Sequence, residues 1–107
     1  MRQYYVYMLA NEWNKIVYTG VTNNLRQRVY EHKEGRVGGL VEKSDFVKLV
    51  YYEVFDAIVS AVNREREIKA AKEKAKGELV SDVNENWRDL YGEVCHWHLV
   101  RGGDRWQ

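Results

Sequence analysis

Two short apolar runs separated by polar residues open the chain. Residues 4–10 and 16–22 are rich in aromatic and β-branched side chains, and residues 11–15 between them are mostly polar. Alternating apolar character with a polar interruption predicts a β-hairpin.

Successive side chains of a strand point to opposite faces, so each predicted strand has two sets of residues. One set on each strand holds a tyrosine: Tyr5, Tyr7 and Leu9 on the first, and Ile16, Tyr18 and Gly20 on the second. Each strand can therefore direct a tyrosine to one shared surface, where Gly20 leaves room for a backbone or a ligand. Taken alone, tyrosines in strands are common and are explained by packing.

A polar segment with helical spacing follows the hairpin. Asn23 is a suitable N-cap and Gly35 a suitable C-terminal stop, which predicts a helix over about 24–34. Leu25 and Val29 define its apolar stripe.

Arg28 and His32 lie within about 60° of that stripe, at about 100° per residue. A charged arginine on the buried side of a helix is costly without an anionic partner. Helix geometry favours an internal salt bridge with a satisfied histidine, and a phosphate site is the sharper alternative.

Further elements follow from the same kind of pattern. Residues 35–45 predict a loop and residues 46–54 a third strand. Asp56 is the predicted N-cap of a long helix over about 57–76, which Gly77 is expected to end.

Short helices over 78–83 and 87–94 complete the prediction. The expected fold is α/β (α+β), with a small, three-stranded, mainly antiparallel sheet flanked by helices. Residues 1–94 are predicted to form one domain and residues 95–107 a tail of unknown role.

Glu65 has the most unusual position in the sequence, because it lies in the centre of an apolar stripe. The apolar members of that stripe are Ile58, Ala61, Val62 and Ile68. Buried carboxylates are paired or bind metal. Glu65 either neutralises Arg28 or binds a divalent cation, since hard cations prefer carboxylate oxygens.

Charge is unevenly distributed along the 107 residues, although the net charge is only +1. Residues 1–76 hold 14 basic against 10 acidic residues, a net +4, and residues 77–107 hold 3 against 6, a net −3. The basic excess permits a nucleic-acid partner without requiring one.

One cysteine excludes an intrachain disulfide and favours a reducing compartment. No apolar run reaches membrane-spanning length, so a soluble, cytoplasmic protein without membrane contact is expected. Cys95, His96 and His98 suggest a metal site only weakly, because zinc sites need about four ligands at set spacings.

These segments, in this order, resemble the GIY-YIG nuclease superfamily, and more narrowly its small single-domain bacterial members. Those members are similar to the catalytic domains of UvrC-type repair proteins and of certain homing endonucleases. The matching segments run from Tyr4 to about Tyr91: Tyr5-Val6-Tyr7 for GIY, Tyr18-Thr19-Gly20 for YIG, the helix 25–32, the strand 49–53, the helical segment 61–65 and the closing motif 84–90.

Several positions depart from the family pattern. Tyr5 replaces the first glycine of GIY, and Glu85 replaces the proline of the closing motif. The loop at 40–44 is less basic, and residues 70–73 lack the usual tryptophan and arginine. These changes keep the catalytic set and remove charge and aromatic surface where DNA would lie, and phosphate contacts supply most non-specific affinity.

The resemblance implies hydrolysis of a phosphodiester with one Mg²⁺ or Mn²⁺ held by Glu65. Arg28 would bind the non-bridging oxygens. Tyr7, or secondarily Tyr18, would help to deprotonate the attacking water, with Arg28 and the metal lowering its pKa from about 10. His32 would position water or relay a proton.

The implied substrate is nucleic acid, DNA in the first place, cut with low sequence specificity during repair or processing. Residues expected to contact it are Gly20, Arg26, Lys33, Lys43, Arg64, Lys69 and Lys72. A catalytically weak module that binds nucleic acid or protein is the alternative, and a scaffold with a relic site is a third hypothesis. A homodimer is left open.

Overall fold

The computed structural model describes residues 2–35 and 47–97. The elements in chain order are β1 (Tyr4–Ala10), β2 (Ile16–Thr22), α1 (Leu25–Lys33), β3 (Lys48–Phe55), α2 (Ile58–Ala70), α3 (Glu73–Val83) and α4 (Tyr91–Trp97). The predicted α+β class is confirmed. The predicted loop over 35–45 lies outside the described residues except for Gly35, and so does the predicted tail beyond residue 97.

The sheet has the order β2-β1-β3, and both pairings are antiparallel. The hairpin prediction is therefore confirmed, and β3 adds to the other side of β1. All residues of β1 from Val6 to Ala10 are buried, because the central strand is covered on both faces and reads as a nearly continuous apolar run.

Helices cover the two faces of the sheet in pairs. One face packs against α2 and α3 through a cluster that includes Val6, Met8, Ala61, Ile68 and Val80. The other face packs against α1 and α4 through a cluster that includes Tyr7, Leu9, Leu25, Val29, Leu90 and Val94. The sheet is thus the middle of three layers, and Tyr7 belongs to the α1 side.

A β-bulge at the turn end of the hairpin separates Ile16 from Tyr18. Leu9 is opposite Tyr18 and Ala10 is opposite Ile16, so Val17 is the extra residue of the bulge. Ile16 packs on the α2 side and Tyr18 on the α1 side. The prediction that Ile16 shares a face with Tyr18 is therefore wrong.

Helix α1 and its N-cap each begin one residue later than predicted. The side chain of Asn24, rather than Asn23, accepts a hydrogen bond from the Gln27 backbone N–H at 3.3 Å. The predicted stop at Gly35 is confirmed, because Gly35 has a positive φ of 71° and its N–H donates to the His32 carbonyl.

The predicted long helix over 57–76 is two helices, and this prediction is wrong. Ala71 and Lys72 are extended, and α3 then continues through Gly77. In one straight helix Ile68 and Val80 would point about 120° apart at 100° per residue. The break lets both residues enter the same core cluster.

Two smaller corrections concern helix starts. Asp56 does not cap α2, because Ala57 is at the N-cap position and no side chain bonds there. The last helix begins at Tyr91, four residues after the predicted start. Trp87 has a positive φ of 52°, and the Asp89 carboxylate accepts the Tyr91 N–H at 3.0 Å.

Candidate active site

A buried hydrogen bond joins Tyr7 on β1 to His32 on α1. The Tyr7 Oη and His32 Nε2 atoms are 3.1 Å apart, and both side chains are at most 1 % exposed. The Tyr18 ring lies 4.5 Å from the imidazole and 5.9 Å from the Tyr7 ring, between centroids. Three of the residues singled out in the sequence therefore form one cluster.

Gly20 provides the space that this cluster occupies. It is paired with Tyr7 across the hairpin. A Cβ atom on Gly20 would lie 2.7 Å from Tyr18 Cε2 and 3.0 Å from Tyr7 Oη. The room that the sequence assigned to a backbone or a ligand is filled by the two tyrosine side chains.

Burial shifts the pKa of both hydrogen-bonded groups away from charge. It raises the pKa of Tyr7 well above 10, an effect that Tyr18 adds to and that the Arg28 charge only partly opposes. It lowers the pKa of His32 to about 4, and Arg28 acts in the same direction. At neutral pH the pair is therefore a phenol and a neutral imidazole.

The neutral imidazole of His32 carries one ring proton, and the direction of its hydrogen bond with Tyr7 depends on which ring nitrogen holds that proton. Within the described part of the chain, His32 Nδ1 is buried without a hydrogen-bond partner. In the free protein, desolvation of Tyr7 outweighs the charge of Arg28, so a lowering of the Tyr7 pKa by Arg28 together with a metal ion stays a prediction.

Arg28 lies one helical turn before His32, and its side chain is 43 % exposed. Its Nε atom is 3.6 Å from a Glu31 carboxylate oxygen. Such an exposed pair three residues apart is worth a few tenths of a kcal/mol. A phosphate oxygen could therefore replace Glu31 as the ionic partner of Arg28 at little cost in free energy. This phosphate would then lie next to the Tyr7–His32 pair.

Glu65 lies in the other layer, on the side of α2 that holds the buried residues Ala61 and Ile68. Its side chain is 19 % exposed and pairs with Lys69 Nζ at 3.0 Å. Among the ion pairs of residues 2–35 and 47–97, none joins Glu65 to Arg28. The internal salt bridge considered from the sequence is therefore absent from this part of the structure.

The predicted DNA-contacting residues fall into different environments. Lys33 and Arg64 are half-buried and paired with carboxylates, Lys33 with Asp89 and Arg64 with Glu53. Lys69 pairs with Glu65. The Nε atom of Arg26 is buried without a partner among the described groups, Lys72 is exposed between α2 and α3, and Lys43 lies outside the described residues.

Sequence reasoning missed two acidic residues that organise these cations. Glu53 accepts hydrogen bonds from Arg64 and from Tyr51. Its burial would raise its pKa, but those hydrogen bonds outweigh burial and keep the pKa below its usual range. Asp89 binds Lys33 and two backbone N–H groups. The matching segments 49–53 and 84–90 contain Glu53 and Asp89, but neither residue was assigned a role from the sequence.

No group of three or more His, Cys, Asp or Glu residues that could hold a metal ion occurs in the described ranges. His98 lies outside them, so the weak zinc hypothesis is not tested. A single carboxylate such as Glu65 is nevertheless a suitable donor for Mg²⁺, which keeps several waters and takes other ligands from substrate phosphate. No described helix is long and apolar enough to cross a membrane.

Comparison with known proteins agrees with this fold and cluster. The family model of the GIY-YIG catalytic domain matches residues 3–78. A UPF0213 protein of Natronomonas pharaonis is 38 % identical over 79 residues, which cover 74 % of this chain and 92 % of that protein. A UPF0213 protein of Syntrophus aciditrophicus is 37 % identical over 81 residues, 75 % of this chain and 92 % of that one.

A solved structure shows the same architecture. The solution NMR structure of a UPF0213 protein from Bacillus halodurans superimposes with a TM-score of 0.53 and 25 % identity, covering 82 % of this chain and 93 % of that one. The chain belongs to the GIY-YIG family, in its group of small UPF0213 proteins. GIY-YIG is a nuclease family, which indicates a nucleic-acid substrate.

Proposed function

We propose that this protein is a metal-dependent endonuclease that hydrolyses DNA phosphodiester bonds with low sequence specificity, in DNA repair or processing. The observation that carries the proposal is the buried Tyr7–His32 hydrogen bond, next to the exposed guanidinium of Arg28. In a member of a nuclease family, this places a proton acceptor beside a phosphate-binding group.

The Tyr7–His32 pair supplies a route for the proton of the attacking water. The water gives its proton to Tyr7 Oη while Tyr7 gives its own proton to His32 Nε2, which leaves a hydroxide equivalent and an imidazolium. A low pKa makes His32 a weak acceptor in the free protein. The negative charge of a bound phosphate stabilises the imidazolium and so raises the pKa of His32 in the complex.

Arg28 binds the phosphate whose charge this step needs. Its planar guanidinium fits two non-bridging oxygens, and only an exposed pair with Glu31 must be given up. Tyr18 keeps the imidazole in place through ring contact.

Glu65 is the proposed ligand of one Mg²⁺ or Mn²⁺. Its oxygen donor fits these hard cations, and its present partner Lys69 is more than half exposed, so the pair is easily opened. A bound metal ion would polarise the phosphate and stabilise the leaving oxygen.

Weak, sequence-tolerant contact with DNA follows from the cation environments. Lys33 and Arg64 are half-buried and each pairs with a carboxylate, which lowers the positive charge available to DNA phosphates. Fewer phosphate contacts mean lower non-specific affinity. Digestion of random-sequence fragments is therefore expected to give a smear, and discrete bands would contradict low specificity.

A nucleic-acid or protein binding module with little turnover is the second candidate. The raised pKa of Tyr7 and the internal pairing of Lys33 and Arg64 favour it over an efficient enzyme.

Cleavage of labelled duplex, branched and single-stranded DNA with Mg²⁺, Mn²⁺ or EDTA separates the two candidates. Metal-dependent cutting by the wild type, lost in Glu65→Ala, supports the nuclease. Glu73→Ala is the control, because Glu73 also pairs with a lysine of its own helix and lies outside the proposed site. Binding without cutting, from a folded protein in every metal, would establish the binding module instead.

A further inference from the structure

We propose that Asp89 is a positioning residue for the Tyr7–His32 pair, acting through Lys33. This inference rests on the proposed nuclease function for its kinetic consequence, but its structural part is independent of turnover.

Asp89 joins three elements with one carboxylate. Its Oδ1 atom accepts from the Leu49 N–H on β3 and from the Tyr91 N–H that starts α4, both at 3.0 Å. Its Oδ2 atom accepts from Lys33 Nζ at 2.7 Å. The carboxylate thus links the sheet and α4 to the last residue of α1.

Lys33 completes this link from the helix side. Its ammonium group also donates to the Val47 carbonyl at 2.9 Å and lies 5.2 Å from the centre of the Tyr91 ring. Its side chain is 23 % exposed and that of Asp89 31 %. A half-buried pair with shared hydrogen bonds holds its geometry better than an exposed pair.

The link fixes the end of α1 that bears His32, since Lys33 is the next residue. Tyr7 and His32 are two buried rings whose hydrogen bond spans β1 and α1. A shift of α1 carries His32 with it, and the buried Tyr7 ring on β1 cannot follow, whereas the exposed Arg28 side chain can readjust. The position of α1 therefore controls the proton acceptor more than the phosphate-binding group.

Two variants test this assignment from opposite sides. Asp89→Asn keeps an acceptor for the two backbone N–H groups and removes the charge that binds Lys33. Lys33→Met removes the ammonium group and keeps an apolar side chain of similar length, so it tests the same link if Asp89→Asn fails to fold. Lys33→Arg keeps the positive charge and is the conservative variant expected to restore the link. Lys76→Met is the matched control, because Lys76 is a similarly buried lysine paired with Glu73 on α3.

The first readout is the pKa and tautomer of His32, measured by NMR in the folded variants. We expect the pKa to rise from about 4 towards about 6.5 in Asp89→Asn and Lys33→Met, and to stay low in Lys33→Arg and Lys76→Met. Looser packing would let water reach the imidazole, and a merely lower melting temperature would not move this value.

The second readout compares the change in kcat with the change in KM for DNA cleavage. We expect kcat to fall about tenfold or more, with KM changed less than about threefold, because a small misplacement of reacting groups is costly. An unchanged His32 pKa and unchanged kcat in both variants would overturn the assignment. An inactive wild type would overturn the proposed nuclease, while the NMR result would still decide whether Asp89 positions His32.

Discussion

At the scale of single residues, burial sets the chemistry of the site more than neighbouring charge does. Arg28 lowers the pKa of both Tyr7 and His32, yet the pKa of Tyr7 is raised because its phenol is desolvated. Since both groups stay neutral, the pair carries no charge in the free protein, and in the proposed mechanism it relays a proton only when an anionic substrate is bound.

This burial of a neutral histidine predicts a pH-dependent loss of stability. The pKa of His32 is about 4 in the fold and 6.5 unperturbed, so the unfolded chain binds more protons between these values. Stability is therefore lost as the pH falls from 6.5 to 4, by up to about 3 kcal/mol.

Denaturant unfolding of wild type and His32→Gln between pH 7 and pH 4 measures this contribution. Glutamine does not titrate, so the stability advantage of the wild type should shrink as the pH falls. A constant difference between the two proteins across this range would contradict a neutral, buried His32.

Gly20 gives a second prediction at this scale. Gly20→Ala places a Cβ against Tyr18 and Tyr7, and overpacking of this kind costs about 1–3 kcal/mol. Gly92→Ala in α4 is the control, because nothing lies within 4 Å of its added Cβ and alanine favours a helix. Equal unfolding free energies for the two variants would show that the Tyr7 and Tyr18 side chains move aside at little energetic cost.

At the scale of elements, local signals predicted most of the fold. The hairpin and β3 follow from apolar alternation, and Gly35 ends α1 through its left-handed backbone. The break between α2 and α3 could not be predicted, because it is set by packing of Ile68 and Val80 on the same sheet face. The bulge that turns Ile16 away from Tyr18 likewise depends on strand pairing.

Local patterns also predicted part of the candidate site. Tyr7, Tyr18, Gly20 and His32 come together because strand and helix periods place them on one face. Asp89 lies in the closing motif, but its role could not be predicted, because its contacts with β3 and α1 join residues 40 and 56 positions apart.

Asn84 tests how the segment after α3 is held to the sheet. Its side-chain amide donates to the Val50 and Arg88 carbonyls and accepts the Arg88 N–H. Asn84→Ala leaves buried partners unsatisfied, at about 1–3 kcal/mol each. The free energy of unfolding should fall by about 2–4 kcal/mol.

The control for this change is Asn86→Ala, because Asn86 is exposed and such substitutions usually stay within about 0.5 kcal/mol. If urea unfolding gave Asn84→Ala the same stability as Asn86→Ala, the segment would be held by its apolar contacts alone.

At the scale of the whole molecule, the three-layer arrangement divides the proposed machinery. Tyr7 and His32 lie on the α1 side of the sheet, and Glu65 belongs to α2 on the other side. The proposed phosphate-binding and proton-accepting groups come from β1 and α1, and the proposed metal ligand comes from a different helix, α2. Loss of Glu65 is therefore expected to leave the pKa of His32 near 4.

The most direct test of the proposed active site is the rate of metal-dependent DNA cleavage by Tyr7→Phe. This change removes one oxygen and keeps the ring that packs against Tyr18 and His32. Tyr52→Phe is the matched control, because its hydroxyl donates to Glu93 rather than to His32. We predict a loss of about 100-fold or more in Tyr7→Phe and near wild-type cleavage in Tyr52→Phe. Equal cleavage by Tyr7→Phe and the wild type would contradict the assigned active site.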